Sequence, residues 1–226
     1  MELNRNDVHI YRINIPDHTD SIASLNELLS ADEFSKAQRY KFPVDKQNYI
    51  ICRGNLRKIL SEYTNEAPQK IRFEYSDKGK PFLKNSEIFF NLSHSGERCV
   101  IAVSRAENLG IDIERIREVK DLLNISAKYF SETEFDLIKK SPPKIRTELF
   151  FRIWTLKEAF IKATGEGLSY PLKGFSVLLN AGDSHSVNIR NRAEENDLWS
   201  LFSLECNEYY LSSLAIKSFS VRIIYK

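Results

Sequence analysis

The pattern Ser30-x-x-Glu33-Phe34 recurs as Ser131-x-x-Glu134-Phe135, 101 residues further on. Both are capping-box signatures, in which a hydroxyl and a carboxylate three residues later satisfy the first free amides of a helix. Each copy precedes a long run with helical spacing, then a Gly/Pro turn (Gly79-Lys80-Pro81; Gly165 to Pro171), then strand-like runs. The chain has 226 residues, room for one large domain or two of roughly 110 residues each. One element order used twice points to an α+β fold of two similar α/β subdomains, 1–106 and 107–226, related by a pseudo-two-fold. Chance recurrence of a common motif is the alternative. No linker rich in Pro, Gly or Ser separates the halves, so they should pack tightly, and a site at their seam would draw on both.

Local patterns supply the elements. Val8 to Ile15 alternates with period two and reads as a strand. Ile22 to Leu29 and Ser30 to Arg39 read as helices, Pro43 interrupts, and a long helix follows from about Asp45 to Tyr63. Ile88–Ser93 and Cys99–Ser104 read as strands joined by the turn His94-Ser95-Gly96-Glu97, and Gly110–Glu114 as a short strand. A helix is expected over Pro143 to Thr164, ended by Gly165 and Gly167. Strands are expected at Gly174–Leu179, Leu198–Glu205, Tyr209–Ile216 and Ser220–Tyr225.

Charge excludes one class of function. Thirty-three Lys and Arg against 31 Asp and Glu leave a net charge of +2, so bulk charge does not make this a nucleic-acid binder. Apolar residues at 42% are enough for a real core. Cys52, Cys99 and Cys206 are odd in number and form no CxxC, which favours buried, reduced thiols. The first residues, MELNRNDVHI, have no apolar signal-peptide core, and no apolar run approaches the ~20 residues that span a bilayer. A cytoplasmic protein without membrane partners is the expectation.

Chemistry concentrates in three places. Asp112 and Glu114, two apart on a strand, point to one face while Ile111 and Ile113 point to the other. Paired carboxylates repel unless a cation lies between them, and a hard divalent ion such as Mg²⁺ suits oxygen ligands; a solvated strand face is the plainer reading. Trp154-Thr155-Leu156-Lys157-Glu158-Ala159-Phe160-Ile161-Lys162 sets Glu158 and Lys162 four apart on one helical face. They make either a surface ion pair or a third metal ligand beside a cation for phosphate. Lys78-Gly79-Lys80-Pro81 is a cationic turn, and Asn91-Leu92-Ser93-His94-Ser95-Gly96 ends a strand in small polar groups and an imidazole. With Lys36, Arg39, Lys41 and Arg53 these could hold a polyphosphate. His9, His18 and His185 stand in no such context.

The motifs GKP (Gly79–Pro81), NLSHSG (Asn91–Gly96), GIDIE (Gly110–Glu114) and WxxKEAxxK (Trp154–Lys162) occur in that order. In this the chain resembles the 4′-phosphopantetheinyl transferases of the long, pseudodimeric type, over about Ser30 to Leu179. The resemblance implies that fold, and transfer of the phosphopantetheine arm of coenzyme A to a serine of an apo acyl or peptidyl carrier protein, with release of adenosine 3′,5′-bisphosphate. It implies Mg²⁺ on Asp112, Glu114 and Glu158, and Lys162 at the reacting phosphate. It implies that Lys80, with Ser93 and His94, binds the nucleotide and its 3′-phosphate, and that Lys36 contacts coenzyme A. Lys78, Gly79 and Pro81 belong to the same turn, Asp112 is counted with the coenzyme A contacts as well, and Arg53 is added on charge alone. Nucleotide contacts would fall in 1–106, and the metal site, catalytic helix (Glu158, Lys162) and carrier docking in 107–226. A monomer with an internal pseudodimer is expected. One departure stands out: Glu33 occupies a position, three before Lys36, that is often basic in the family.

Two other readings make different predictions. A Mg²⁺-dependent phosphohydrolase acting on a nucleotide would release phosphate without an acceptor, and a non-catalytic coenzyme A-binding module would bind without turnover. The segment from Arg115 to Phe130 offers Arg115, Arg117, Lys120 and Lys128 to an acidic carrier helix, with Val119, Leu122, Leu123 and Ile125 as apolar contacts. The plainer reading is an amphipathic segment packed on its own core.

Overall fold

The computed structural model describes residues 1–167, 170–189, 193–218 and 220–226. Its first half runs β1 (Asp7–Asn14), α1 (Ile22–Asn26), α2 (Ala31–Gln38), α3 (Pro43–Thr64), the hairpin β2 (Phe73–Tyr75) and β3 (Pro81–Leu83), then β4 (Phe89–Ser95) and β5 (Arg98–Ser104). The second runs β6 (Leu109–Arg115), α4 (Leu122–Tyr129), α5 (Glu132–Lys140), α6 (Pro143–Thr164), β7 (Phe175–Leu178), β8 (Ser184–Ile189), β9 (Ser200–Leu204) and β10 (Tyr210–Ile216). A last strand, β11 (Arg222–Tyr225), follows.

The halves share a plan. One sheet has the order β11-β1-β5-β4, the other β6-β10-β9-β8-β7. In each, the first strand of the half pairs antiparallel with the last, which pairs antiparallel with the one before it. Leu56 and Leu60 of α3 pack with Phe90, Ile101 and Val103 on one sheet; Leu156 and Phe160 of α6 pack with Leu201 and Ala215 on the other. Val8, Ile10, Val100 and Ala102 meet Ile111, Ile113, Leu214 and Ile216 between the sheets. The order of layers is helix, sheet, sheet, helix.

Several expectations need correction. Pro43 does not interrupt a helix but opens α3, since its ring fixes a helical φ at a position with no amide to satisfy. His94 and Ser95 lie in β4 rather than in the turn, pairing with Cys99 and Arg98. A two-residue connection suffices because Gly96 takes φ +55°. The hairpin β2–β3 and strand β8 were not anticipated. β11 leaves its own half and pairs parallel with β1, where Arg222 binds Asp7 through two bonds of 2.7 and 3.0 Å. Among the described residues no helix is long and apolar enough to cross a membrane.

Both capping boxes form, and each does a second job. Glu33 accepts from the Ser30 amide at 3.0 Å and also from buried Arg53 and Arg57 at 2.5 and 2.6 Å. Glu134 accepts from the Ser131 amide at 2.8 Å and from Lys157 Nζ at 2.8 and 2.9 Å. Arg57 and Lys157 are each the fifteenth residue of a 22-residue helix. A buried carboxylate therefore pins the short helix to the long one in both halves.

Lys157 is fully buried, donates also to the Phe175 carbonyl at 2.8 Å, and has its basicity lowered by that burial. Lys157→Met should cost about 3–5 kcal/mol, the range for removing one partner of a buried ion pair. Adding Glu134→Gln should recover part of the loss. Urea denaturation checks both, and a single variant as stable as wild type would deny the pair its role.

Candidate active site

Strand β6 carries Asp112 and Glu114 on the face away from the apolar space between the sheets, as the alternation Ile111/Ile113 requires. Helix α6 lies against that strand because residue 110 is glycine. A Cβ there would stand 2.1 Å from the Ala159 carbonyl oxygen and 2.4 Å from the Ala163 amide nitrogen. This approach sets Lys162 Nζ 2.7 Å from Asp112 Oδ1 and 3.3 Å from the Ile111 carbonyl.

The other flank of β6 faces β4. The two strands belong to different sheets, and no main-chain ladder joins them among the described residues. Side chains at alternate positions of β4 bridge the gap instead. Asn91 Oδ1 accepts from the Ile111 amide at 2.9 Å, Ser93 Oγ donates to Asp112 Oδ1 at 2.8 Å, and Ser95 Oγ donates to Glu114 Oε2 at 2.8 Å. Asn91 and Ser95 stand in the polar strand end that the sequence singles out, but only Ser93 and His94 were given roles there. Their signal was the period-two run of polar groups in Asn91-x-Ser93-x-Ser95.

Asp112 is buried, and burial raises its carboxyl pKa while Lys162 pulls it back. Its Oδ2 has no hydrogen-bond partner among the described residues. Glu158, half-buried on α6, is raised by burial and next by the charge of Asp112, with Lys162 opposing. An orphaned buried carboxylate oxygen beside a carboxylate that it repels is a donor set suited to a hard cation. As arranged, however, no three His, Cys, Asp or Glu side chains among the described residues are gathered closely enough to hold a metal ion. The contact made by Asp112 Oδ1 is with the Lys162 ammonium and the Ser93 hydroxyl.

Glu158 and Lys162 line a cavity of about 220 Å³ together with Lys78, Gly79, Lys80 and Pro81. Motifs about eighty residues apart thus share one hollow. Lys80 is tied in firmly: its Nζ donates to the Lys162 carbonyl at 2.6 Å and the Leu109 carbonyl at 3.0 Å, and burial lowers its pKa to about 8. Lys36 is exposed, with its ammonium over the Tyr49 ring, and His94 is exposed on β4. Arg53 turns inward, to Glu33 and the Tyr75 hydroxyl at 2.7 Å, so its charge is spent within the N-terminal half. Glu33, the departure from the family pattern, is that buried partner. The apolar residues of 115–130 follow the plainer reading: Val119, Leu122, Leu123 and Ile125 pack on Phe130, Phe150 and Phe151, while Arg115, Arg117, Lys120 and Lys128 stay exposed.

Comparison with known proteins decides the family. Residues 108–214 match the model of the 4′-phosphopantetheinyl transferase superfamily, and residues 16–106 match that of the N-terminal part of a 4′-phosphopantetheinyl transferase. The 4′-phosphopantetheinyl transferase HetI of Nostoc sp. is 31% identical over 217 residues, 94% of this chain and 89% of that one. The chain belongs to the 4′-phosphopantetheinyl transferases. The transferase Sfp of Bacillus subtilis is 33% identical over 71% of either chain, and psf-1 of Bacillus pumilus 36% over 70% of this chain and 67% of its own. This 4′-phosphopantetheinyl transferase is therefore an enzyme of group transfer, with the two-part α+β architecture described above.

Gly110→Ala tests what holds the candidate site together. The added methyl meets backbone rather than a movable side chain end, so β6 and α6 must part. A loss of at least about 1–3 kcal/mol, the usual cost of overpacking, is expected in thermal or urea unfolding. A variant of unchanged stability would show that the close approach is dispensable.

Proposed function

We propose that the transferred group comes from coenzyme A and goes to a serine hydroxyl of an acyl or peptidyl carrier protein, leaving adenosine 3′,5′-bisphosphate. The observation that carries this reading is the shared cavity: the cationic turn Lys78–Pro81 on one side, Glu158 and Lys162 on the other, with the orphaned Asp112 oxygen beside Lys162. A pyrophosphate needs cations and backbone amides on one side and a site for a divalent ion on the other.

In this reading the serine oxygen bonds to the β-phosphorus as the bond to the bridging oxygen breaks. Glu158, which lines the cavity, takes the serine proton on the carboxylate oxygen not given to the cation. Lys162 neutralises charge on the departing oxygen. Asp112, Glu114 and Glu158 would hold Mg²⁺, which when bound supplies charge neutralisation at the pyrophosphate. Lys80, His94 and Lys36 would hold the nucleotide end of coenzyme A, with Lys78, Gly79 and Pro81 lining its entry, while Ser93 keeps its proton on Asp112. Residues 1–106 then supply the nucleotide contacts, and 107–226 the metal ligands, the catalytic helix and the carrier surface. The protein would act in the cytoplasm as a monomer, its pseudodimer built into one chain.

Asp112→Ala and Glu158→Ala should each abolish transfer while leaving the fold intact. Intact mass of an apo carrier incubated with coenzyme A, saturating Mg²⁺ and each variant reads this directly. Near-normal mass gain with either variant would refute the site. Phosphate release without carrier would favour a hydrolase, and tight coenzyme A binding with no mass gain a binding module.

The carrier is expected beside Arg115, Arg117, Lys120 and Lys128, steered by charge, with the partly buried Val119 and Ile125 lining the neighbouring hollow. Steered association slows as salt rises. A variant with Arg115→Glu and Arg117→Glu should raise KM for the carrier and flatten the salt dependence of kcat/KM. Unchanged KM and an unchanged slope would remove both residues from the docking surface.

A further inference from the structure

We infer that Ser95, on the N-terminal half, is a positioning residue that orients the Glu114 carboxylate for a divalent cation, and that metal affinity depends on the bonding of β4 side chains across the seam. The inference rests on the proposed role of Asp112 and Glu114 as cation ligands.

The donors and acceptors present fix the direction of each hydrogen bond at the seam. Ser95 Oγ lies 3.1 Å from the Arg115 amide nitrogen and 2.8 Å from Glu114 Oε2. A backbone amide can only donate and an ionised carboxylate can only accept. The Ser95 oxygen therefore receives from Arg115, and its single proton is committed to Glu114. Ser93 repeats the arrangement one step along the strand. Its oxygen lies 2.9 Å from Lys162 Nζ, an obligate donor, so its proton is committed to Asp112 Oδ1 at 2.8 Å. Each serine is held by a fixed donor behind it and presents one proton to one carboxylate oxygen. One oxygen of each carboxylate is thereby fixed. For Asp112, the other is buried and bears no hydrogen bond among the described residues.

Spacing supports the same conclusion. Residues two apart on a strand share a face, so Ser93 and Ser95 on β4 meet Asp112 and Glu114 on β6 in register. Glu114 most needs such a partner. It is the less buried of the two, and its other polar contact is a 3.4 Å ion pair with the exposed Arg117. Groups that hydrogen-bond a metal-ligating carboxylate fix its orientation, and their removal typically weakens metal binding by about 10–100-fold.

The test compares wild type, Ser95→Ala and Ser95→Thr. Binding of Mn²⁺ is read from the loss of the free-ion paramagnetic signal, with and without coenzyme A, alongside the unfolding temperature. The expected result is a Kd for Mn²⁺ about tenfold weaker in Ser95→Ala, near wild type in Ser95→Thr, with little change in unfolding temperature. KM for coenzyme A at saturating metal should hold. Equal Mn²⁺ affinity in wild type and Ser95→Ala would overturn the inference while leaving the site reading standing. So would a raised KM for coenzyme A with unchanged metal affinity, which would place Ser95 on the nucleotide. Failure of the wild type itself to bind Mn²⁺ under either condition would overturn the metal reading, and this inference with it.

Discussion

Two sheet edges meet without a ladder, and the candidate site is arranged around that junction. A strand edge carries amides and carbonyls that cannot be buried unpaired. Between β4 and β6 that demand is met at the buried Ile111 amide by the Asn91 side chain, while Ser95 takes the exposed Arg115 amide. A ladder would have locked the strands at the spacing of a sheet and left the carboxylates of β6 to find partners elsewhere. A seam of short polar side chains pairs backbone and carboxylates together. Asp112 can be buried there because Ser93 and Lys162 both reach it.

The pseudo-two-fold explains why this happens once. By the shared plan, β1 and α3 correspond to β6 and α6. Where β6 holds Asp112 toward Lys162, β1 holds His9 and Tyr11, both at 2.6 Å from the Tyr63 hydroxyl on α3. His9 is buried, and its basicity is lowered first by that burial, so the network is neutral where its counterpart in the second half is charged. The neighbouring strands differ too. Beside β1 lies β11, joined by a parallel ladder and by the bidentate Arg222–Asp7 pair. Beside β6 lies β4, joined by side chains alone. In one half the last strand closes by a ladder the gap that the other bridges with side chains.

What could be read from sequence was what neighbours in sequence decide. The capping boxes at Ser30 and Ser131, the two 22-residue helices and the alternation in Gly110–Glu114 depend on residues within one element, and all are present. The second use of Glu33 and Glu134 was hidden, because a capping carboxylate does not announce the cation buried against it from another helix. Arg53 looked free for the same reason. Val119 to Ile125 looked available to a partner because their covering aromatics, Phe150 and Phe151, lie far along the chain. β11 was legible as a strand, yet its parallel pairing with β1 was not, since register across about 215 residues leaves no local trace.

The site itself falls between these cases. Each motif was visible, but not the bonds that close them into a circuit. Lys80 of the GKP turn donates to the carbonyl of Lys162, whose ammonium donates to Ser93 and Asp112, while Lys80 also holds the Leu109 carbonyl at the head of the strand bearing Asp112. Every link joins a different element, so α6, β6, β4 and the turn before β3 are positioned by one another rather than by a common scaffold. Groups coupled in this way do not contribute additively. Removing the Lys80 ammonium frees the end of α6 as well as a charge in the cavity, and removing Ser93 leaves Asp112 Oδ1 to the Lys162 ammonium. A residue placed here by its motif as a ligand contact is therefore also part of the frame that holds the others, and the division between binding residue and structural residue does not apply within the circuit.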